Sequence, residues 1–162
     1  MLFNTHSHVD TNRQFANDRE QVMARAREMG VERLMVIGYS REAIPISLQF
    51  AERYDWVYAA VGIHPTDALE WGSETERRVR QAAEHPKVRA IGEIGLDYYW
   101  KDRAPFDVQR DVFRHQIRLA REVNLPIVIH DRDAHEDVVR ILEEEHAEEV
   151  GGIMHCFAGD WA

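Results

Sequence analysis

Short apolar runs alternate along this chain with longer stretches in which apolar residues recur every third or fourth position. Runs such as 57–63 and 88–94 suit strands buried on both faces, and the recurring stripes suit amphipathic helices. Strands are predicted to start near residues 2, 33, 57, 88, 125 and 151, a spacing of about 30. The intervening helices are predicted over 18–29, 43–54, 73–85, a long stretch opened by Pro105, and 135–145. The first carries Val22, Ala26 and Met29 and stops at Gly30, a C-terminal signal. The second takes Pro45 in its first turn, where a missing N–H costs little. The third has Ser73 as its cap and Glu76 to complete a capping box. The fourth shows Phe106, Phe113, Ile117 and Ala120 on one stripe, and the fifth shows Val138, Ile141 and Leu142. The order is βα five times followed by a sixth strand, so the expected class is α/β with a parallel sheet.

The polar residues that interrupt this pattern cluster at one place in each repeat. His6 and His8 follow the first strand, His64 the third, Glu93 sits near the end of the fourth, and His130 and His155 close the fifth and sixth. The carboxyl ends of parallel strands share one face, and that face is where sites are built. In an extended segment side chains alternate with period two, so His6 and His8 point the same way and can share a divalent metal. Glu93 lies between Gly92 and Gly95 in an apolar strand, where a carboxylate is costly unless it is paired or bound to a cation. Such a carboxylate can give one oxygen to each of two ions. His130 and His155 read as ligands of the second ion.

His64, held extended by Pro65, reads as a metal ligand, a substrate contact or support for the metal site, with contact or support favoured. Arg132 is the best cationic candidate for a substrate phosphate, and Tyr98 heads an aromatic run, Tyr98-Tyr99-Trp100, that either stacks on a base or closes the barrel mouth. Asp10 is a candidate to orient a ligand histidine through its second nitrogen, and Asp97 and Asp133 could do similar work or cap nearby turns. Two adjacent ions can activate a water, hold a phosphate and stabilise charge in an in-line displacement. The same donor set suits hydrolysis of amides or lactones.

Composition narrows the partners. Across 162 residues the formal charge is −9, which argues against a generic basic scaffold for nucleic acid but leaves room for a phosphodiester held by metal ions. The single cysteine, Cys156, excludes an intrachain disulfide and points to a reducing compartment, read here as the cytoplasm. No basic leader and no run of 18 apolar residues is seen, so no membrane span is expected.

The ordered set Thr5-His6-Ser7-His8-Val9-Asp10, Val61-Gly62-Ile63-His64-Pro65, Gly92-Glu93-Ile94-Gly95-Leu96-Asp97-Tyr98-Tyr99, 113–120 with Gln116, Pro126-Ile127-Val128-Ile129-His130-Asp131-Arg132-Asp133-Ala134 and 152–159 resembles the TatD-type metal-dependent deoxyribonucleases of the amidohydrolase-like superfamily. The resemblance implies a TIM-type (β/α) barrel that hydrolyses DNA phosphodiester bonds, often from the 3′ end, with two divalent ions (Mg, Mn or Zn). It implies that His6 and His8 serve one ion, that Glu93 is the shared catalytic carboxylate, and that His130 and His155 serve the other ion. Arg132 would lie where the family contacts substrate, and His64 and Tyr98 remain substrate-contact candidates from the residues alone.

Such barrels have eight βα units. The expectation for 1–162 is therefore one incomplete barrel domain of about six units, with strands seven and eight and a further aspartate missing. For a chain of 162 residues alone, open edges of that kind predict self-association. Two other readings stand beside the nuclease: a related hydrolase of a small amide, lactone or phosphoester, and a truncated, catalytically weak binding or assembly protein.

Overall fold

The computed structural model describes residues 2–157; Met1 and 158–162, including Gly159 of the last matched segment, lie outside the described residues. Six parallel strands form one sheet in the order β1-β2-β3-β4-β5-β6. They are β1 (Leu2–Ser7), β2 (Val31–Gly38), β3 (Val57–Val61), β4 (Val88–Asp97), β5 (Ile127–Arg132) and β6 (Gly152–His155). Strands that follow one another in sequence lie side by side, each joined through a helix: α1 (Arg19–Glu28), α2 (Ala43–Glu52), α3 (Ser73–Ala83), α4 (Phe106–Val123) and α5 (His135–Glu144). A sheet wound in this way curls into a barrel wall, here nearly closed, with the rings of His6 and His155 stacked 3.4 Å apart across the tips of β1 and β6. Short 3-10 segments, among them Pro65–Glu70 after β3, were not foreseen in the periodicity.

Two sets of apolar side chains divide along the strand alternation. Leu34, Val36, Ala59, Val61, Ile91 and Ile129 pack outward against Phe113, Ile117, Val138 and Ile141 of the helices. Met35, Ile37, Ala60, Ala90 and Val128 form a smaller inner group. Phe113 and Ile117 are fully buried, each worth roughly 1.5–3 kcal/mol of transfer free energy. The ends of α3 differ from expectation: Gly72, not Ser73, is the N-cap, its carbonyl accepts from Glu76 N–H, and no side chain caps the helix. Gly72 leaves the first turn without a capping box because Ser73 has already entered the helix.

The decisive local departure is in β4. Ile91 and Ile94 both pack outward, three residues apart, so the alternation slips once between them. The pairing register with β5 shifts at the same place, between Gly92 and Ile94. That slip turns Glu93, which would otherwise share the helix-facing side of Ile91, onto the inner face. The flanking glycines permit it. A Cβ on Gly92 would lie 2.6 Å from Val128 Cβ, and one on Gly95, whose φ is +142°, would lie 2.0 Å from the His130 carbonyl oxygen.

Candidate metal centre

Glu93 is 4% exposed and stands at the middle of the carboxyl end of the sheet. Its two oxygens face different groups. Oε2 lies 3.3 Å from His6 Nε2 and 3.9 Å from His8 Nε2, while the two imidazole nitrogens are 3.2 Å apart. Oε1 lies 2.8 Å from His130 Nδ1 and 3.9 Å from His64 Nε2. His6-His8-Glu93 and His64-Glu93-His130 each bring three potential ligand atoms within 4.8 Å of one another. Neutral imidazole and carboxylate donors converging in this way fit divalent cations, and one carboxylate contributes an oxygen to each position.

The β1 pair behaves as its spacing predicts, with both Nε2 atoms aimed inward. The second group is assembled differently from the sequence expectation. His64 supplies its third atom, whereas His155 lies flat against His6 and joins neither group among the described residues. His64 is held from both ends. Gln116 of α4 clamps the preceding residue, accepting from Ile63 N–H at 2.8 Å and donating to the Ile63 carbonyl at 2.9 Å. Nδ1 accepts from Thr66 N–H at 3.2 Å, with Thr66 Oγ1 2.7 Å away, and this cap fixes the ring with Nε2 facing Glu93.

His130 carries a carboxylate on each ring nitrogen, Glu93 on Nδ1 and Asp97 Oδ2 on Nε2 at 2.9 Å. Asp97 is 1% exposed and is itself locked by Gln109, which accepts from Asp97 N–H at 2.8 Å and donates to its carbonyl at 3.0 Å. The other Asp97 oxygen accepts from the backbone N–H groups of Tyr99 and Trp100 at 3.0 and 3.1 Å. Asp97 therefore orients His130 as the sequence reading allowed. Asp10 does not approach a ring nitrogen in the same way: it accepts from the Ser47 hydroxyl, and its Oδ1 is buried without a hydrogen-bond partner among the described residues.

Charge follows from this packing. Burial alone would raise the Glu93 pKa, but hydrogen bonds from His130 and His6 outweigh it and hold the carboxyl well below the usual range. Burial pushes His64 down to about 4, with repulsion from His130 adding to the effect. Burial also lowers His8 and His155, in each case helped by His6. These rings are neutral near pH 7, the form a metal ligand requires. Burial opposes the charge on His130, but Glu93 and then Asp97 raise its pKa, so positive charge is favoured between the two carboxylates.

Two cavities meet at this centre. One of about 510 Å³ is lined by His8, His64, Glu93, His130, Arg132 and His155, and another of about 390 Å³ by His8, Asn12, Tyr39, His64, Thr66 and Glu93. Arg132 lines the first, its guanidinium carbon 3.9 Å from the Tyr99 ring centre. Tyr98 is not brought to either cavity. Its ring packs on Phe106 at 4.3 Å, and its hydroxyl donates to Asp137 and accepts from Arg110 at 3.0 Å.

Gln109 escaped the sequence reading, whereas Asp97 fills both roles offered for it, orienting a histidine and capping the next turn. A signal for Gln109 exists: with Phe113, Gln116 and Ala120 it follows the buried stripe of α4, and a glutamine in such a stripe needs partners.

A model of the TatD related DNase family matches residues 3–162. An uncharacterized metal-dependent hydrolase, YabD, of Bacillus subtilis is 53% identical over 98% of this chain and 62% of its own length. A 3′-5′ ssDNA/RNA exonuclease TatD of Escherichia coli is 36% identical over 92% of this chain and 57% of its own. Among solved structures, the TatD homolog YJJV of Escherichia coli superposes with a TM-score of 0.89 at 32% identity, covering 98% of this chain and 61% of that one. The chain thus spans about 57–62% of the length of these relatives.

Proposed function

The chain belongs to the TatD-related DNase family, and from that premise we propose that it is a metal-dependent hydrolase that cleaves DNA phosphodiester bonds, exonucleolytically and on single strands. One observation carries the reading: Glu93 offers one oxygen to each of two imidazole groups. Bound there, two divalent ions would supply Lewis acidity toward a phosphate and a water. The chain's own residues do the rest. His6, His8 and Glu93 hold one position, and His64, Glu93 and His130 the other. His155, against His6 and beside the larger cavity, is proposed as a further ligand drawn in on metal loading. Arg132 meets a phosphate at the rim, and Asp97 keeps His130 in the orientation that presents Nδ1.

The test uses metal-stripped protein and a 5′-labelled single strand, with Mn²⁺ or Mg²⁺ added back and then removed with EDTA. Shortening of the strand that appears with metal and stops with EDTA supports the proposal; strand left intact at every metal concentration removes it for this chain.

We further propose a single, incomplete barrel domain whose edge strands are β1 and β6. The greater length of the relatives supports this. Leu2, Phe3 and Ile153 are exposed along those two strands, which favours self-association of the chain. Sedimentation across a concentration series decides it, a constant monomer mass excluding it. Among the described residues no helix is long and apolar enough to cross a membrane. Residence in the cytoplasm is our inference from the lone Cys156, and cell fractionation tests it.

A further inference from the structure

Beside the metal centre, three side chains form a surface with no role in holding metal. Tyr99 and Trp100 are 50% and 45% exposed, with ring centres 4.9 Å apart and planes nearly perpendicular. The Arg132 guanidinium lies 3.9 Å from the Tyr99 ring centre and 5.8 Å from that of Trp100. Among the described residues no carboxylate lies within ion-pair distance of Arg132, whereas Arg110, Arg114 and Arg118 all pair with acids. The exposure does not come from slack backbone. Asp97 Oδ1 holds both aromatic N–H groups, and the neighbouring Tyr98 is tucked against Phe106.

We propose that Tyr99, Trp100 and Arg132 form a stacking subsite for a nucleobase of a single DNA strand whose phosphate enters the cavity lined by His130 and Glu93. The inference rests on the nuclease reading above and adds how the strand is held. Arg132 spans both parts, since it lines the cavity and caps the Tyr99 ring. An aromatic face flanked by an unpaired guanidinium matches a base with its adjacent phosphate. Only an unstacked base can use it, so the subsite selects a single strand over a duplex. The net charge of −9 strengthens the case: a general electrostatic hold on a polyanion is lacking, and stacking must contribute a larger share of binding.

The experiment uses the Mn²⁺-loaded chain and matched single strands with either intact bases or one abasic position, moved along the strand. A parallel strand carries 2-aminopurine, whose fluorescence falls on stacking. Wild type is expected to show a KM roughly tenfold higher for the strand that is abasic at one particular position, with kcat unchanged. Tyr99→Ala/Trp100→Ala raises KM for the intact strand to the abasic level and abolishes the quenching. Tyr99→Phe/Trp100→Phe retains both. Arg132→Gln raises KM for intact and abasic strands alike. A double alanine variant that still distinguishes the two strands, or still quenches, overturns the subsite. If wild type cleaves neither strand, the hydrolysis reading falls, and quenching then decides the subsite by itself: present in wild type and lost in the alanine variant, it stands; otherwise it falls.

Discussion

His130 and His6 both offer a ring nitrogen to Glu93, at 2.8 and 3.3 Å, yet the far side of each ring meets a different environment. Behind His130 stands Asp97, fixed in turn by Gln109, so the imidazole is oriented before any ion arrives. Behind His6 and His8 the Nδ1 atoms are buried and have no hydrogen-bond partner among the described residues. The difference tracks position in the sheet. His130 lies on β5, with a strand on each side, whereas β1 has β2 as its single partner among the described strands. A shared carboxylate therefore joins a half braced by a hydrogen bond behind its ring to a half whose rings have none there, and the two halves should respond differently to the same perturbation.

Replacing what they share should abolish the distinction. Glu93→Gln is expected to lower metal content from two equivalents to below one and to cut hydrolysis by roughly three orders of magnitude, comparable with removing a preorganised electrostatic partner. Elemental analysis and strand cleavage read the two effects, and a variant that keeps both ions would dissolve the comparison altogether.

Removing one ring from each half separates them. Without metal, His130→Ala takes the ring from between Glu93 Oε1 and Asp97 Oδ2, two buried carboxylates, and should cost about 3 kcal/mol of unfolding free energy. His6→Ala removes a ring whose second nitrogen is already unpartnered and should cost less than half as much. Urea unfolding in EDTA compares them, and equal losses would show that support behind the ring is immaterial.

A subtler change leaves the rings in place. Asp97→Asn should weaken the ion bound through His130 by about 10–100-fold and leave the one bound through His6 and His8 unaltered. Calorimetric titration with Mn²⁺ resolves the two sites; parallel weakening of both would mean that they act as one.

The smallest expected effect lies away from both halves and calibrates them. Glu145 accepts from Arg118 at 2.7 and 2.6 Å and from Arg114 at 3.2 Å. The Arg118 bonds hold its carboxyl below the ordinary 4.5 against the opposing pull of burial, with Arg114 assisting. A carboxyl lowered by folding stabilises the fold above its unfolded pKa, and that contribution disappears as pH falls through the folded value. Urea midpoints should therefore decline as pH drops below about 4.5, and Glu145→Gln should make that decline shallower.

The periodicity of the chain gave the six strands, the five helices and the placing of histidines at strand ends, because each is a matter of local spacing. His6 and His8 met as predicted since two residues of extended chain cannot do otherwise. Glu93 shows the limit of that logic. Strict alternation sends it toward the helices with Ile91, and the slip that turns it inward depends on how closely Gly92 and Gly95 let β4 approach β5. Which histidine completes the second group is likewise long-range: His64 reaches Glu93 through a backbone clamped by Gln116, from a helix more than fifty residues later in the chain. Tyr98 and Tyr99 are adjacent in sequence but part company in space, one against Phe106 and the other beside Arg132.

Asp97 has two clients, one on each oxygen: the ring of His130 and the backbone of the Tyr99-Trp100 turn. This gives the chain an inherited linkage between traits that would otherwise drift apart. Where the turn is reshaped, an N–H is lost or re-aimed, Asp97 shifts to follow, and the setting of the His130 ring changes with it. Mutations in the turn and around His130 should therefore be strongly epistatic, and changes tolerated in one should come paired with changes in the other.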